Sequence, residues 1–199
     1  MLKRAFDIVF SACWLIVFAP LLLVVALLVR LKLGSPVLFI QERPGYLGRP
    51  FRMVKFRTMT DERGPDGELL PDSVRLTSFG KLLRSTTLDE FPEMWNVLIG
   101  DMSVVGPRPL LMRYVPRYSS FQARRMEVKP GVTGWAQING RSAIGWDEKF
   151  ALDVWYVDHR TFWLDMKMVV MTFFKVLARS GAERAVGAEP LGEFRGDGK

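Results

Sequence analysis

Between Ile8 and Val29 the chain carries no charge: IVFSACWLIVFAPLLLVVALLV is an unbroken apolar run. As a helix rising about 1.5 Å per residue, it just matches a hydrocarbon core of about 30 Å. Pro20, near its middle, removes a backbone hydrogen bond and bends the helix there. Basic residues lie on both flanks, Lys3 and Arg4 before the run and Arg30 and Lys32 after it. The bias that marks the cytoplasmic side of a span is thus present at both ends, which favours a re-entrant hairpin. A kinked transmembrane helix is the alternative. A secretory signal peptide fits less well, because its apolar region is usually about 7–15 residues and no small-residue cleavage site is obvious.

Beyond this run the pattern changes. SPVLFIQ and PFRMVKFRTM read as two β-rich stretches around ERPGYLGR, whose Gly45 and Gly48 suit a turn. DERGPDGELLPDS reads as a polar surface loop, followed by a short helix around Phe79–Arg84. Phe91, Met94, Trp95 and Leu98 recur at helical spacing and are stopped by Gly100. MSVVGPRPLL is expected to be a Pro-interrupted loop, and the Gly-rich KPGVTGWAQINGR to separate two helices, YSSFQARRMEV and WDEKFALDVWYVDHR. The last apolar stretch, FWLDMKMVVMTFFKVL, is interrupted by Asp165 and Lys167, so it reads as core or as an interfacial helix. The tail after Gly181 is weakly patterned and is expected to be extended or mobile.

At 199 residues the chain makes one principal domain with attachments. The expected organisation is a membrane anchor over 1–33, a catalytic or binding unit over 34–181 and a tail over 182–199. The class is α+β, mostly helical with a small β-hairpin, an N-terminal re-entrant membrane helix-hairpin and interfacial amphipathic helices. Lys and Arg number 28 against 21 Asp and Glu, a net charge of +7. The partner is therefore anionic: nucleic acid, lipid headgroups or a phosphorylated small molecule. One cysteine, Cys13, and one histidine, His159, exclude an internal disulfide, a Cys/His zinc set and a Cys-His nucleophile pair. Any metal must be held by oxygen.

Against that basic background stands TTLDEFPEMW, with Asp89 beside Glu90. One structural reading is a capping box, with Thr87 as N-cap and Glu90 reaching back to it. Pro92 argues against it, because it would then remove a donor that the helix needs. With Asp89 as N-cap, Pro92 falls among the donors that lack partners anyway, so the helix is predicted over Asp89–Ile99. An N-cap role accounts for one acid and leaves Glu90 unexplained.

The functional reading begins from the same helix start, where free N–H groups attract phosphate. Two carboxylates there would repel it unless a divalent cation intervenes, and Mg²⁺ takes one or two carboxylates plus phosphate oxygens. A carboxylate so placed can also attack phosphorus and form an acyl phosphate. Arginines are the expected companions, and Arg84 and Arg108, in GPRP, flank the pair. A salt bridge or loop contact is the structural alternative for Arg108. No GxxxxGK[ST] or GxGxxG occurs, so any nucleotide binds by another scheme.

The order RPG, KFRTM, LDEFP, NVLIGDMSVVGPRP, PGVTGWAQINGR and WDEKFALDVWY, behind a Pro-interrupted hydrophobic segment, resembles the bacterial sugar transferases that are monotopic polyprenyl-phosphate phosphoglycosyl transferases. The resemblance is to the small, PglC-type form and runs from about Lys3 to Gly181. It implies that Asp89 is the nucleophile of an Asp-Glu dyad, attacking a UDP-sugar to expel UMP and hold a phosphosugar until polyprenyl phosphate accepts it. Glu90 would help to hold Mg²⁺ and phosphates or assist proton transfer, Arg108 would sit at the phosphate site, and Pro20 would turn the membrane helix back. Lys55, Arg84, Gln137, Asn139 and Arg141 lie in family motifs and are assigned phosphate, nucleotide or lipid-phosphate contacts, with structural hydrogen bonding as the alternative. Asp153 and Asp165 would be supporting or structural acids. Ala19 precedes Pro20 where relatives often have Ser, which puts hydroxyl-dependent hairpin geometry in doubt.

The implied partners are a UDP-sugar, polyprenyl (undecaprenyl) phosphate and membrane lipid, without nucleic acid and with a homo-oligomer left open. The implied location is the cytoplasmic face of the bacterial inner membrane. The reading from another class is a basic, membrane-peripheral binding protein without catalysis, whose binding would fall steeply with salt and survive loss of Asp89.

Overall fold

The computed structural model describes residues 1–140, 144–179 and 192–196. Helix α1 (Leu2–Leu33) carries the apolar run and stays helical through Pro20, whose side lies open to the surroundings. It is long and apolar enough to cross a membrane. Strands β1 (Leu38–Pro44) and β2 (Pro50–Phe56) form the predicted antiparallel hairpin, paired from Leu38 with Phe56 to Pro44 with Pro50. Phe51 and Met53 alternate into the core while Leu38, Phe39 and Ile40 remain exposed.

Helices α2 (Asp72–Arg75) and α3 (Ser78–Thr86) follow, and Thr77 caps α3 by accepting from the Gly80 N–H at 3.1 Å. Thr87 then adopts a left-handed conformation, φ 62°, and closes α3. Residues Leu88–Glu90 form a single 3-10 turn, and α4 runs from Glu93 to Ile99, ending at Gly100 with φ 100° as expected. The helix predicted to begin at Asp89 therefore begins four residues later. Thr87 has already reversed the chain, and Pro92 serves as the N-cap instead of sitting within the first turn.

Two segments read as loops contain a small second sheet. Strand β3 (Ser103–Val105) pairs in parallel with β4 (Gly131–Thr133). After α5 (Ser120–Ala123), the predicted helix tightens into a 3-10 turn at Arg124–Met126. Helices α6 (Trp135–Asn139), α7 (Trp146–His159) and α8 (Phe162–Arg179) complete the chain. Three-residue strands show no alternation to read, and their pairing depends on glycines far apart in sequence. A Cβ placed on Gly131 would lie 2.0 Å from the Gly106 nitrogen, and one on Gly134 would lie 2.5 Å from the Gly106 oxygen. Gly131→Ala must push backbone against backbone, and it is expected to lower unfolding stability by about 2–3 kcal/mol, measured by thermal denaturation in detergent.

Helix α1 docks along its whole length. In its first half, Lys3 donates to Asp165 Oδ2 at 2.5 Å, and Arg4 donates to the Val97 and Leu98 carbonyls at 2.6 and 2.8 Å, satisfying the last turn of α4. Asp7 accepts from Ser103 Oγ and from the Val104 N–H, both at 3.0 Å. Phe6, Phe10, Trp14 and Leu15 pack on the core of Phe51, Met94, Val97 and Met168. Beyond Pro20, Val25, Val29 and Leu33 pack with Phe56 and Leu83. The opposite face of α1 exposes Val17, Leu23, Val24, Leu27 and Leu31. Helix α8 is likewise two-sided: Asp165 and Met168 are buried, while Trp163, Phe173 and Phe174 are exposed, so both readings of this stretch have a physical basis.

Candidate active site

The left-handed Thr87 and the following 3-10 turn present Asp89 and Glu90 between α3 and α4, against strand β2. Asp89 retains 9% of its surface. Burial, then the negative charge of Glu90, push its carboxyl above the usual aspartate range, with Lys55 and Arg84 pulling the other way. Glu90 behaves in the opposite manner. Burial raises it, but the charges and hydrogen bonds of Arg108 and Lys55 outweigh burial and hold it well below the ordinary carboxylate range.

That opposition follows from the hydrogen bonds. Arg108 faces Glu90 with both terminal nitrogens, Nη1 donating to Oε2 at 3.1 Å and Nη2 to Oε1. Lys55 Nζ donates to the same Oε1 at 2.9 Å. The geometry is the bidentate fork that suits a planar guanidinium. In turn the guanidinium of Arg108 is held above its ordinary value, chiefly by Glu90. Adjacent carboxylates thus have separate states: Glu90 is locked as an anion between two cations, and Asp89 is the carboxylate with a shifted affinity for a proton. Such a divergence between neighbouring acids marks a division of roles.

A third acid escaped the sequence reading. Glu93, the first residue of α4, is almost fully buried, and its Oε1 lies 2.9 Å from Lys55 Nζ as an ion pair. Burial and Glu90 raise its proton affinity. Its signal was the i, i+3 spacing from Glu90, which places both acids around one lysine once the turn is formed. Arg43, at the end of β1, also belongs to this charge network: burial, then the Arg108 charge, lower its pKa, and Glu93 acts in the other direction. Arg84 donates from Nε to Thr58 Oγ1 at 3.0 Å, which fixes the guanidinium close enough to Asp89 to lower its pKa.

Support for Arg108 comes from the Arg124–Met126 turn, backed by α7. Arg125 Nη2 donates to the Arg108 carbonyl at 2.7 Å and to Asp153 Oδ2 at 2.6 Å, in a pair that is almost wholly buried. Asp165 receives Lys3 and the Tyr156 hydroxyl, at 2.5 and 2.7 Å. Both acids have the supporting positions that the sequence suggested. Gln137 and Asn139 make local bonds, to the Val132 carbonyl at 3.1 Å and the Trp135 carbonyl at 2.9 Å. Arg141 lies outside the described residues.

As a metal site the dyad is asymmetric. Both oxygens of Glu90 are engaged by Arg108 and Lys55, and among the described residues no three His, Cys, Asp or Glu side chains converge on one point. Among the described residues, no ion pair consumes the Asp89 carboxylate, in contrast to Glu90 beside it. That donor set suits a Mg²⁺ held by one carboxylate and otherwise by phosphate oxygens and water.

The turn also touches the apolar helix α1. Phe91, two residues beyond Asp89, meets the rings of Trp14 and Phe18 at 5.1 and 5.4 Å. The acids therefore sit at the side of α1, beside the residues that precede Pro20.

Comparison with known proteins agrees with this geometry. Residues 1–179 match the family model described as bacterial sugar transferase. An uncharacterized sugar transferase of Bacillus subtilis, EpsL, is 56% identical over 92% of this chain and 91% of that protein. A UDP-glucose:undecaprenyl-phosphate glucose-1-phosphate transferase of Caulobacter vibrioides is 38% identical over 90% of this chain and 71% of its own length. A UDP-N-acetylgalactosamine-undecaprenyl-phosphate N-acetylgalactosaminephosphotransferase of Aeromonas hydrophila is 35% identical over 91% of this chain, which spans 45% of that relative. The Asp89 turn, the GPRP loop and the docked apolar helix all fall within the matched residues, and the chain belongs to the bacterial sugar transferase family.

Proposed function

We propose that this protein is a phosphoglycosyl transferase that moves a phosphosugar from a UDP-sugar to undecaprenyl phosphate. The observation that carries this reading is the buried Asp89, within the charge field of Lys55 and Arg84, beside a Glu90 held by Lys55 and Arg108, on a turn packed against helix α1 through Phe91. Two relatives named for such transfers match this chain over 91% and 90% of its length, which lends the reading support.

In this mechanism the ionised Asp89 oxygen attacks the sugar-bearing phosphorus of the diphosphate. The bond from that phosphorus to the bridging oxygen breaks, and UMP leaves with the electron pair. A covalent aspartyl phosphosugar remains, splitting one displacement into two. An oxygen of polyprenyl phosphate then attacks the same phosphorus and expels the Asp89 carboxylate, giving polyprenyl-diphosphate-sugar. Arg108 and Lys55 hold Glu90 in the resting site and are positioned to bind phosphoryl oxygens as charge develops on them. Mg²⁺ held by Asp89 and the diphosphate would supply charge neutralisation for the departing nucleotide.

Docking of both halves of α1 on one body supports the re-entrant topology, and the basic residues on both flanks of the apolar run favour the cytoplasmic face of the inner membrane. A straight span would carry one half of the helix away from the domain, whereas contacts here flank Pro20 on both sides. The exposed faces of α1 and α8 would then enter the lipid together, α8 lying at the interface. With the exposed Cys13 replaced by Ser, cysteines at Leu2 and at Lys32 are both expected to react with an impermeant thiol reagent from the cytoplasmic side only. Labelling of position 2 from the opposite side establishes a span instead.

The functional test is UMP release from a panel of UDP-sugars, with Mg²⁺ and undecaprenyl phosphate in detergent. Release with one donor supports the transfer and names the sugar; silence throughout favours a binding protein without catalysis. The pH profile gives a further check. Aspartate ordinarily ionises near about pH 4. Asp89 is raised, so its nucleophilic form disappears as pH falls through a value above that, and kcat/KM for UMP release is expected to decline on the acid side earlier than an unperturbed aspartate would require. A profile that stays flat down to about pH 4 excludes a raised Asp89 as nucleophile.

A further inference from the structure

We propose that Gly192–Gly196 is a positioning element for Arg108: an acidic-aromatic strap seated in an aromatic box formed by the segment that follows the arginine and by α7. This inference rests on the functional reading above for its kinetic consequence and on contacts alone for its mechanical one.

The strap has no regular secondary structure, yet Phe194 retains only 3% of its surface. Its ring lies 5.1 Å from Phe150, 5.4 Å from Trp146, 5.7 Å from Tyr114 and 5.9 Å from Tyr118. Polar contacts fix the backbone on either side. Trp146 Nε1 donates to the Gly192 carbonyl at 3.0 Å, and Arg117 Nη1 donates to the Phe194 carbonyl at 2.6 Å. The Glu193 carboxylate faces Arg113 at 3.2 Å and Arg117 at 3.4 Å. One buried aromatic anchor, paired backbone carbonyls and a charge matched by two arginines together make a specific seat.

Two routes lead from that seat to Arg108. Leu110, two residues after the arginine, shares a buried cluster with Tyr114, Phe150 and Phe194. Phe150 also lies under the Arg125 guanidinium, 5.7 Å from the ring centroid, and Arg125 donates to the Arg108 carbonyl. Removing Phe194 loosens both the chain beyond Arg108 and the group that holds its carbonyl. A short segment without regular secondary structure, held by one ring and a few polar contacts, belongs to the low-stability end of a fold, so it comes off before the core opens.

The test uses the full chain carrying Phe194→Ala, together with the acetylated peptide Gly-Glu-Phe-Arg-Gly at millimolar concentration, the range that a short tether supplies. Amide exchange in Leu110–Tyr118 is expected to accelerate in the variant and to slow again when the peptide fills the box, while the natural protein is indifferent to the peptide. UMP release is expected to lose about tenfold in kcat/KM, mainly through a raised KM for the UDP-sugar, and to be restored by the peptide. Phe194→Leu should retain most of the activity. Glu193→Gln, at an exposed position, should give the same direction with a smaller effect and serves if Phe194→Ala does not fold.

Natural kinetic constants in both variants overturn the proposal, as does a peptide that neither slows exchange nor restores turnover. If the natural protein itself releases no UMP, the functional reading fails and the exchange arm decides alone: unchanged exchange in Phe194→Ala refutes the strap, and peptide-reversible exchange upholds it.

Discussion

Asp89→Asn is expected to lower UMP release by at least about 10³-fold while the protein stays folded. The amide keeps the shape of the carboxylate but offers no anionic oxygen to attack phosphorus, so the first displacement has no nucleophile. Stability should not fall with activity. Burial and the neighbouring Glu90 anion both disfavour the charge on Asp89, and neutralising it removes a cost instead of a support. Metal-independent affinity for the UDP-sugar should also persist, because Lys55, Arg84 and Arg108 are untouched. Mass spectrometry provides the decisive form of the test. Incubated with UDP-sugar and no polyprenyl phosphate, the natural protein gains the mass of one phosphosugar on Asp89, and the variant gains none. Equal turnover in both proteins removes Asp89 from the nucleophile's role.

Asp153→Ala is the substitution expected to cost most in stability. The Arg125 guanidinium is sealed against Asp153, with both side chains almost fully buried. Removing the acid leaves a cation with neither water nor counter-ion, a situation that costs about 3–5 kcal/mol. For a protein of this size that corresponds to a fall in Tm on the order of 10 °C, measured by thermal denaturation in detergent. The double variant Arg125→Met, Asp153→Leu should recover most of the loss, since an apolar pair of similar volume replaces the ion pair without stranding a charge. Its activity should not recover equally, because Arg125 also holds the Arg108 carbonyl. A double variant as unstable as Asp153→Ala would show that the site needs the ion pair itself for folding.

Part of the site was legible because it is local. Asp89 and Glu90 are adjacent, and GPRP is a single loop, so motif and chemistry coincide along the chain. The start of α4 was misread for a reason equally local: a non-glycine residue rarely takes a left-handed conformation, and Thr87 does so because α3 ends there against β2. The β3–β4 pair was hidden because three-residue strands have no readable period, and their close approach depends on Gly106 meeting Gly131 and Gly134, 25 and 28 residues further along the chain. Phe194 lay in a weakly patterned tail whose significance depends on rings supplied by two distant segments.

The sequence by itself determined the apolar N-terminal helix, the β-hairpin, several of the later helices and the identity of the paired acids, because period, charge and turn chemistry act over a few residues. Only the tertiary structure decided what each acid does. Glu90 became a locked anion when β2 and the GPRP loop brought Lys55 and Arg108 to it, and Asp89 kept its shifted carboxyl because the same packing buried it without an ion pair. Burial and Coulomb energy depend on distance through space, and at this site the deciding neighbours are 35 and 18 residues away along the chain.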